Sequence, residues 1–209
     1  MPFTHSLEAF VAVTATDYSN ALAKESLRLL FKYLPIAYKE GSKNPEARER
    51  VHYAATMAGM AFANAYLGIC HSMAHKLGGA FHVPHGVANA LVITHVIRFN
   101  ASPSPTKFSA FPQYRIPLAA ERYAKIADLL GLGGNNKEEK VELLTKKLEE
   151  IKKELELPAS IKEYGIAEKD FLEKLDEMSE LAFDDQCTGA NPRYPLVSEI
   201  RELYLKAYY

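Results

Sequence analysis

Residues 68–86, GICHSMAHKLGGAFHVPHG, carry the pattern that best predicts how this chain folds and where its functional groups lie. His71 and His75 are four residues apart, so in a helix both project from one face. The helix that carries them is expected to end at Gly78 and Gly79, since glycine suits a helix C-terminus. The segment therefore predicts a helix with a histidine-bearing face that runs into a tight turn.

Beyond that turn, His82 and His85 are expected to return toward the end of the same helix. A helical histidine pair followed by a further histidine after a glycine turn is one way to arrange imidazole nitrogens around Fe(II) or Zn(II). The same spacing is typical of histidines that cap helix ends or form hydrogen bonds within a core, and spacing alone leaves both interpretations open. His5 is too distant in sequence to be placed by spacing, whereas His52 and His95, isolated on predicted helices, favour ordinary core or surface positions.

The rest of the chain predicts an all-α fold, because apolar residues recur at helical spacing and no run alternates in the manner of a strand. In the predicted helix over 44–77 the central residues are apolar on nearly all sides, which is typical of a helix in the middle of a bundle. Pro35 is expected to kink or end the second helix. The predicted helices cover residues 5–13, 18–34, 44–77, 85–99, 118–130, 137–155 and 168–183, with a last one from about 196.

Two segments predict loops. Residues 100–117 hold four prolines and several aromatic residues, which indicates a loop or excursion. The glycine cluster at 131–136 lies between two helical patterns with no strand before it. A dinucleotide-binding fingerprint needs strand, turn and helix in that order, so this cluster predicts a helix end and loop.

Composition excludes some classes of partner. The chain has 25 basic and 26 acidic residues and a formal net charge of -1, so it lacks the positive field that non-specific nucleic-acid binding needs. The most apolar stretch, 54–70, contains Thr56 and Asn64 and predicts a buried helix rather than a membrane span. Cys70 and Cys187 form no paired framework, and residues 1–13 show no signal peptide. We therefore expect a cytoplasmic protein with neither a nucleic-acid nor a membrane partner.

The residue sequences of three segments are more informative about function than the spacing of the histidines. Residues 68–86 resemble the second signature of the iron-containing alcohol dehydrogenases, and residues 4–10, THSLEAF, resemble the first signature of that family. Residues 183–193, FDDQCTGANPR, resemble the end of its bifunctional aldehyde-alcohol dehydrogenase branch. The resemblance spans essentially the whole chain and implies one all-α, metal-binding domain over residues 1–209. Its helical bundle would resemble the C-terminal, dehydroquinate synthase-like domain of those enzymes.

The resemblance also implies roles for four histidines. His5, His71 and His85 match the residues that ligate the catalytic metal in the family, with Fe(II) expected and Zn(II) possible. His75 matches a histidine that lines the cleft beside the nicotinamide and takes part in proton transfer, which makes it both a catalytic and a cofactor-binding residue. The implied reaction is reversible reduction of a short-chain aldehyde by NADH, with the metal as Lewis acid.

Met1 departs from the family pattern, which has an aspartate four residues before the first histidine. A thioether is a soft, neutral donor and replaces a carboxylate poorly on Fe(II), so metal affinity is expected to be lower. Glu8, one turn after His5, is a candidate substitute ligand, although it matches a family position that is not used for metal. Cys70 is expected to be a small buried residue rather than a ligand.

The family's amino-terminal nucleotide-binding domain has no counterpart in the sequence. We therefore expect the chain to be incomplete as an NAD-dependent enzyme on its own, and to work as a homo-oligomer or with a missing nucleotide-binding half. Two alternatives stay open: a catalytically inactive helical module retained for assembly, and a helical iron or zinc protein with no redox role.

Overall fold

The computed structural model describes residues 1–102 and 118–209, which fold into helices joined by short connections, with no strand among them. The all-α prediction is thus confirmed. Two 3-10 turns, at Gly41–Lys43 and Thr188–Ala190, add to the helices. In chain order the helices are α1 (Pro2–Val11), α2 (Asp17–Glu40), α3 (Pro45–Ala65), α4 (Ile69–Phe81), α5 (His85–Ala101), α6 (Ala119–Leu129), α7 (Lys137–Glu154), α8 (Ile161–Tyr164), α9 (Glu168–Phe183) and α10 (Val197–Tyr208).

The single helix predicted over 44–77 is wrong, because α3 and α4 are separate helices. Tyr66 lies between them, and its positive φ of 62° breaks the helical path of the chain. At Gly68 a Cβ would lie 2.5 Å from the side-chain oxygen of Asn191 and 2.9 Å from a carboxylate oxygen of Glu8. These two side chains accept hydrogen bonds from the first amides of α4. Contacts with residues far away in the sequence therefore determine where α3 ends and α4 begins. The periodicity of apolar residues within 44–77 contains no sign of these contacts.

The predicted end of α4 is also wrong, because the helix continues through Gly78 and Gly79 to Phe81. His82 then ends it in the left-handed conformation, with a φ of 53°. At Gly78 the absence of a side chain permits close approach of the Val83 carbonyl, which would lie 3.2 Å from a Cβ. The glycines thus allow close packing of the turn against the helix, rather than stopping the helix.

Three smaller predictions differ from the structure. Helix α2 contains Pro35 and runs on to Glu40, six residues beyond the predicted end at residue 34, so Pro35 does not end it. Its N-cap is Thr16, through a capping box with Ser19, so the helix begins at Asp17, one residue before the predicted start. The structure describes only residues 100–102 of the predicted 100–117 loop. The first two of these belong to helix α5, which extends to Ala101. The remainder, 103–117, lies outside the described residues.

Helices α1, α4 and α5 form the centre of the bundle. The α2 and α3 pair packs on one side of α1, α6 and α7 pack against α5, and α9 and α10 cover α4 and α5. The core side chains of the central helices are fully or almost fully buried, among them Leu7, Phe10, Ile69, Met73, Leu77, Leu91, Val96 and Ile97. In contrast to the prediction of a central helix, α3 leaves Tyr53 and Met60 about half exposed.

None of the helices in the described part of the chain combines the length and the apolarity that crossing a bilayer requires.

Candidate metal centre

Three histidines from three different helices meet in the centre of the bundle. His5 comes from α1, His71 from α4 and His85 from the first turn of α5. Each offers one ligand atom, and these atoms all lie within 4.8 Å of one another. The ring centroids of His5 and His71 are 4.9 Å apart, and those of His71 and His85 are 5.3 Å apart. We call these residues the histidine trio.

His71 is the most deeply buried member, with 1% of its surface exposed. Its Nδ1 bonds to a carboxylate oxygen of Glu8, and the other oxygen of Glu8 accepts the Cys70 backbone N–H at 2.8 Å. A carboxylate accepts the proton of Nδ1, so the lone pair of this imidazole lies on Nε2. That Nε2 is buried and has no hydrogen-bond partner among the described residues. A buried, unpaired polar atom is costly, and a bound cation would remove the cost.

The other two members are held in the neutral form that binds metals. Burial, followed by the neighbouring His71, lowers the pKa of His5 to about 3. Burial and then His71 and His75 also lower the pKa of His85. Because a neutral imidazole keeps a lone pair for coordination, His5 and His85 present nitrogen donors and not positive charges near neutral pH.

The two positions that the sequence weighed as further ligands lie on different sides of the trio. The Met1 carbonyl accepts the backbone N–H of His5 at 3.1 Å, which puts Met1 one helical turn before it. The Met1 Cβ also lies 3.8 Å from the position that a Cβ of Gly86 would occupy, beside His85. Glu8 lies behind His71, and both of its oxygens are engaged by hydrogen bonds. The position of Glu8 suits the support of a ligand rather than ligation.

His75 lies one turn further along α4, beside the trio. Its ring stacks on that of His85 with centroids 5.4 Å apart, and 36% of its side chain is exposed. The Nδ1 of His75 lies 3.1 Å from Oδ2 of Asp185. The same carboxylate pairs with the Lys76 ammonium at 2.8 Å and accepts the Cys187 backbone N–H at 3.0 Å.

The ionised form of Asp185 is strongly favoured. Burial works to raise its pKa, but hydrogen bonds from Lys76, the Cys187 amide and His75 together lower that pKa far below its ordinary value. The carboxylate is therefore charged near neutral pH. It holds the Nδ1 proton of His75 and leaves Nε2 as the proton acceptor of that ring.

Sequence reasoning did not find the two carboxylates that support these histidines. Glu8 was considered only as a ligand, and Asp185 lies in a quoted signature without an assigned role. The contacting residues are 63 and 110 positions apart along the chain, so no local pattern joins them. Among the described residues, His52, His82 and His95 do not join the cluster.

A small apolar pocket opens beside the trio. It has a volume of about 310 Å³ and is reached past Phe62, whose ring centroid lies 4.3 Å from that of His5. The pocket is lined by Phe62, Ala63, Tyr66, Leu67, Gln186 and Cys187. Larger pockets lie at the end of α7, between α5 and α10, and between α5 and α7. No member of the trio lines any of these pockets or the smaller one, but the smaller one is lined by Phe62, which contacts His5. Proximity to the histidines, and not volume, makes the smaller pocket the relevant one.

Comparison with known proteins gives consistent matches over almost the whole chain. Residues 2–208 match the family model described as Fe-containing alcohol dehydrogenase family, C-terminal. The chain is 59% identical over 208 residues to the bifunctional aldehyde-alcohol dehydrogenase of Escherichia coli strain K12. The matched region covers 99% of this chain and 23% of that protein. It is 44% identical over 206 residues to the NADPH-dependent butanol dehydrogenase of Clostridium saccharobutylicum, covering 99% of this chain and 48% of that protein.

A solved structure gives the same result. The iron-containing alcohol dehydrogenase from Thermococcus thioreducens superimposes with a TM-score of 0.83 at 37% identity, over 99% of this chain and 48% of that one. The chain thus spans about a quarter to about half of the length of these relatives.

Proposed function

Because the chain belongs to the Fe-containing alcohol dehydrogenase family, whose C-terminal helical part it matches, we propose that it supplies the metal-binding and proton-transferring half of an NAD-dependent enzyme. The reaction is interconversion of short-chain aldehydes and alcohols. His5, His71 and His85 hold the catalytic metal. The observation that carries this proposal is the convergence of three imidazoles, one of which, His71, has a buried Nε2 with no hydrogen-bond partner among the described residues.

The family name implies Fe(II) as the metal, although three imidazoles also accept Zn(II). When bound, Fe(II) supplies Lewis acidity toward the carbonyl oxygen, and NADH supplies the hydride. The chain holds His5 and His85 neutral, buries His71 and orients the His71 ring through Glu8. Met1 provides no carboxylate beside the trio, so the proposal includes a metal affinity below that of a site with four protein ligands.

His75 is the residue that we assign to proton transfer and to contact with the nicotinamide. Its Nδ1 proton is held by Asp185, so Nε2 is free to give or take the proton of the alcohol oxygen. The ring stacks on His85, which keeps it beside the reacting centre, and its partial exposure connects it with solvent. Asp185 and Lys76 act through His75 and are positioning residues.

The pocket beside Phe62 is the proposed site for the carbon chain of the substrate. Its lining is mainly apolar and its volume of about 310 Å³ suits a molecule of a few carbon atoms. A bound aldehyde would extend from this pocket toward the trio. The butanol dehydrogenase among the relatives, by its name, acts on an alcohol of this size.

The nucleotide is expected to be held mainly by a second half. The described residues contain no strand and hence no strand, glycine turn and helix that could bind a dinucleotide. We propose that this half comes from another domain or another chain, in the cytoplasm, where the two free cysteines would stay reduced. A catalytically inactive module for assembly is the second candidate, which Met1 in place of a carboxylate favours.

Metal loading under anaerobic conditions tests the proposal. The purified chain should bind about one equivalent of Fe(II) at the trio, and His85→Gln should lower the affinity at least tenfold because one of three donors is lost. His52→Gln, on the exposed face of α3, is the matched control and should bind like the wild type. Failure of the wild type to bind Fe(II), or equal binding by both variants, would contradict the proposal.

Activity separates the two candidate functions. With acetaldehyde, the Fe(II)-loaded chain should oxidise NADH when a nucleotide-binding half is supplied. The His75→Gln variant should bind metal normally and show a large loss of kcat. If the loaded and reconstituted wild type has no activity, the assembly module is the better description.

A further inference from the structure

We infer that the chain carries a second cation site, formed by His75, Asp185 and Cys187, that takes a thiophilic divalent cation such as Zn(II). Each of the three residues offers one ligand atom, and these atoms lie within 4.8 Å of one another. The set shares no residue with the histidine trio. Binding at this site does not depend on the proposed function, although its effect on turnover does.

The three side chains are already held together. His75 comes from α4, while Asp185 and Cys187 belong to the connection between α9 and the 3-10 turn at Thr188–Ala190. Asp185 accepts the backbone N–H of Cys187 through Oδ1 and contacts Nδ1 of His75 through Oδ2. A cation therefore meets a largely preformed arrangement, and the entropic cost of ordering its ligands is small.

The chemistry of these donors differs from that of the trio. Imidazole, carboxylate and thiolate are the usual ligands of Zn(II), and three protein ligands leave one position for water. Because thiolate donors attract softer cations, Zn(II) should favour this site relative to Fe(II), which the nitrogen-only trio suits. Cys187 lines the open pocket beside Phe62, and His75 is partly exposed, so an ion has a path of entry.

Two features oppose binding and make the site one of moderate affinity. The Lys76 ammonium already neutralises Asp185 at 2.8 Å, but its side chain is 25% exposed and can turn to solvent. Burial, and then Asp185, raise the pKa of the Cys187 thiol to about 12. The incoming cation must therefore displace one ammonium group and release one proton from sulfur to solvent.

Occupation of this site would take His75 out of proton transfer. A ring nitrogen of His75 would bind the cation, and Asp185 would be drawn away from orienting that ring. Excess zinc should therefore inhibit the reaction while the trio keeps its own metal.

Cobalt(II) is the probe, because thiolate coordination gives an intense charge-transfer band in the near ultraviolet and nitrogen coordination does not. Anaerobic titration of the reduced chain should show binding accompanied by this band. The band should disappear in Cys187→Ser and persist in Cys70→Ser, the matched control. Cys70 is a second buried cysteine, and its sulfur faces Asn89. Absence of the band in the wild type, or its survival in Cys187→Ser, would overturn the inference.

A gain of affinity provides a test that misfolding cannot imitate. Lys76→Gln removes the competing ammonium, and cobalt should then bind at the thiolate site roughly tenfold more tightly, since a nearby like charge is gone. Unchanged or weaker binding in this variant would contradict the proposed site. In His85→Gln the thiolate band should remain, so loss of Fe(II) binding at the trio is distinguishable from failure of this inference.

Discussion

Two neighbouring histidines on α4 show how single residues acquire different roles from their surroundings. His71 and His75 each bond through Nδ1 to a carboxylate from another part of the chain. Glu8 and His71 are both almost fully buried, and Nε2 of His71 has no hydrogen-bond partner among the described residues. His75 is partly exposed, so its Nε2 can exchange protons with solvent. The surroundings of the two carboxylates, rather than the spacing of the histidines, distinguish the proposed ligand from the proposed proton-transfer residue.

The role of Glu8 can be tested by Glu8→Gln. The glutamine oxygen can still accept the Cys70 amide, but its NH₂ group would donate to Nδ1 of His71 and leave the proton on Nε2. Metal affinity should then fall roughly 10- to 100-fold, and ¹⁵N NMR of the metal-free chain should show the opposite tautomer of His71. Glu25→Gln, on the surface of α2, is the control. Unchanged affinity would mean that Glu8 does not set the tautomer.

His95 allows a test of stability against pH away from the trio. Burial, and then Lys152 and Arg98, lower its pKa from 6.5 to about 4. Between these values the unfolded chain binds the proton more readily than the folded one, so this histidine makes stability fall as pH drops from about 6.5 to 4. Urea unfolding of wild type and His95→Gln at pH 7 and pH 4.5 should show a smaller loss in the variant. An equal loss would contradict the assignment.

At the scale of elements, the sequence predicts helices well and their ends poorly. The periodic apolar residues report which face of a helix is buried, and that was sufficient for the all-α fold. The break between α3 and α4 depends on Asn191 and Glu8, whose side chains accept the first amides of α4. No pattern within residues 44–77 contains that information.

The candidate site was predictable to a similar extent. Helical spacing placed His71 and His75 on one face, and the turn after them brought both His82 and His85 back toward it. Only the resemblance selected His71 and His85 from these four as ligands. His5 was placed only through the resemblance, because no spacing rule connects α1 with α4. The supporting carboxylates were missed because their partners are distant in sequence.

Gly68 is the element-scale position where substitution should be most informative. In Gly68→Ala the added Cβ would meet Asn191 and Glu8, so the start of α4 must shift. The free energy of unfolding should fall by about 1–3 kcal/mol, and metal affinity should fall with it because Glu8 is displaced. Gly59→Ala, in α3 with open space around the new Cβ, should instead stabilise the chain by about 0.5–1 kcal/mol. Urea denaturation measures both, and similar effects at the two glycines would contradict this account.

At the scale of the whole molecule, the bundle closes around the trio through a few buried polar side chains. Asn191 has no exposed surface and accepts the Ile69 amide at the start of α4. Its side-chain amide also donates to Asn100 near the end of α5 and to the Arg193 carbonyl. The connection after α9 is thereby fixed to α4 and α5, and Asp185 and Cys187 are held beside His75. The proposed metal site is thus a property of the entire helical domain and not of one segment.

The most direct test of this convergence is a crystal structure of the anaerobically Fe(II)-loaded chain, with anomalous scattering recorded at the iron edge. The account predicts an iron peak bonded to nitrogen atoms of His5, His71 and His85, with Glu8 still on Nδ1 of His71. An iron peak bound elsewhere, or fully loaded crystals in which these three side chains contact no iron, would contradict it.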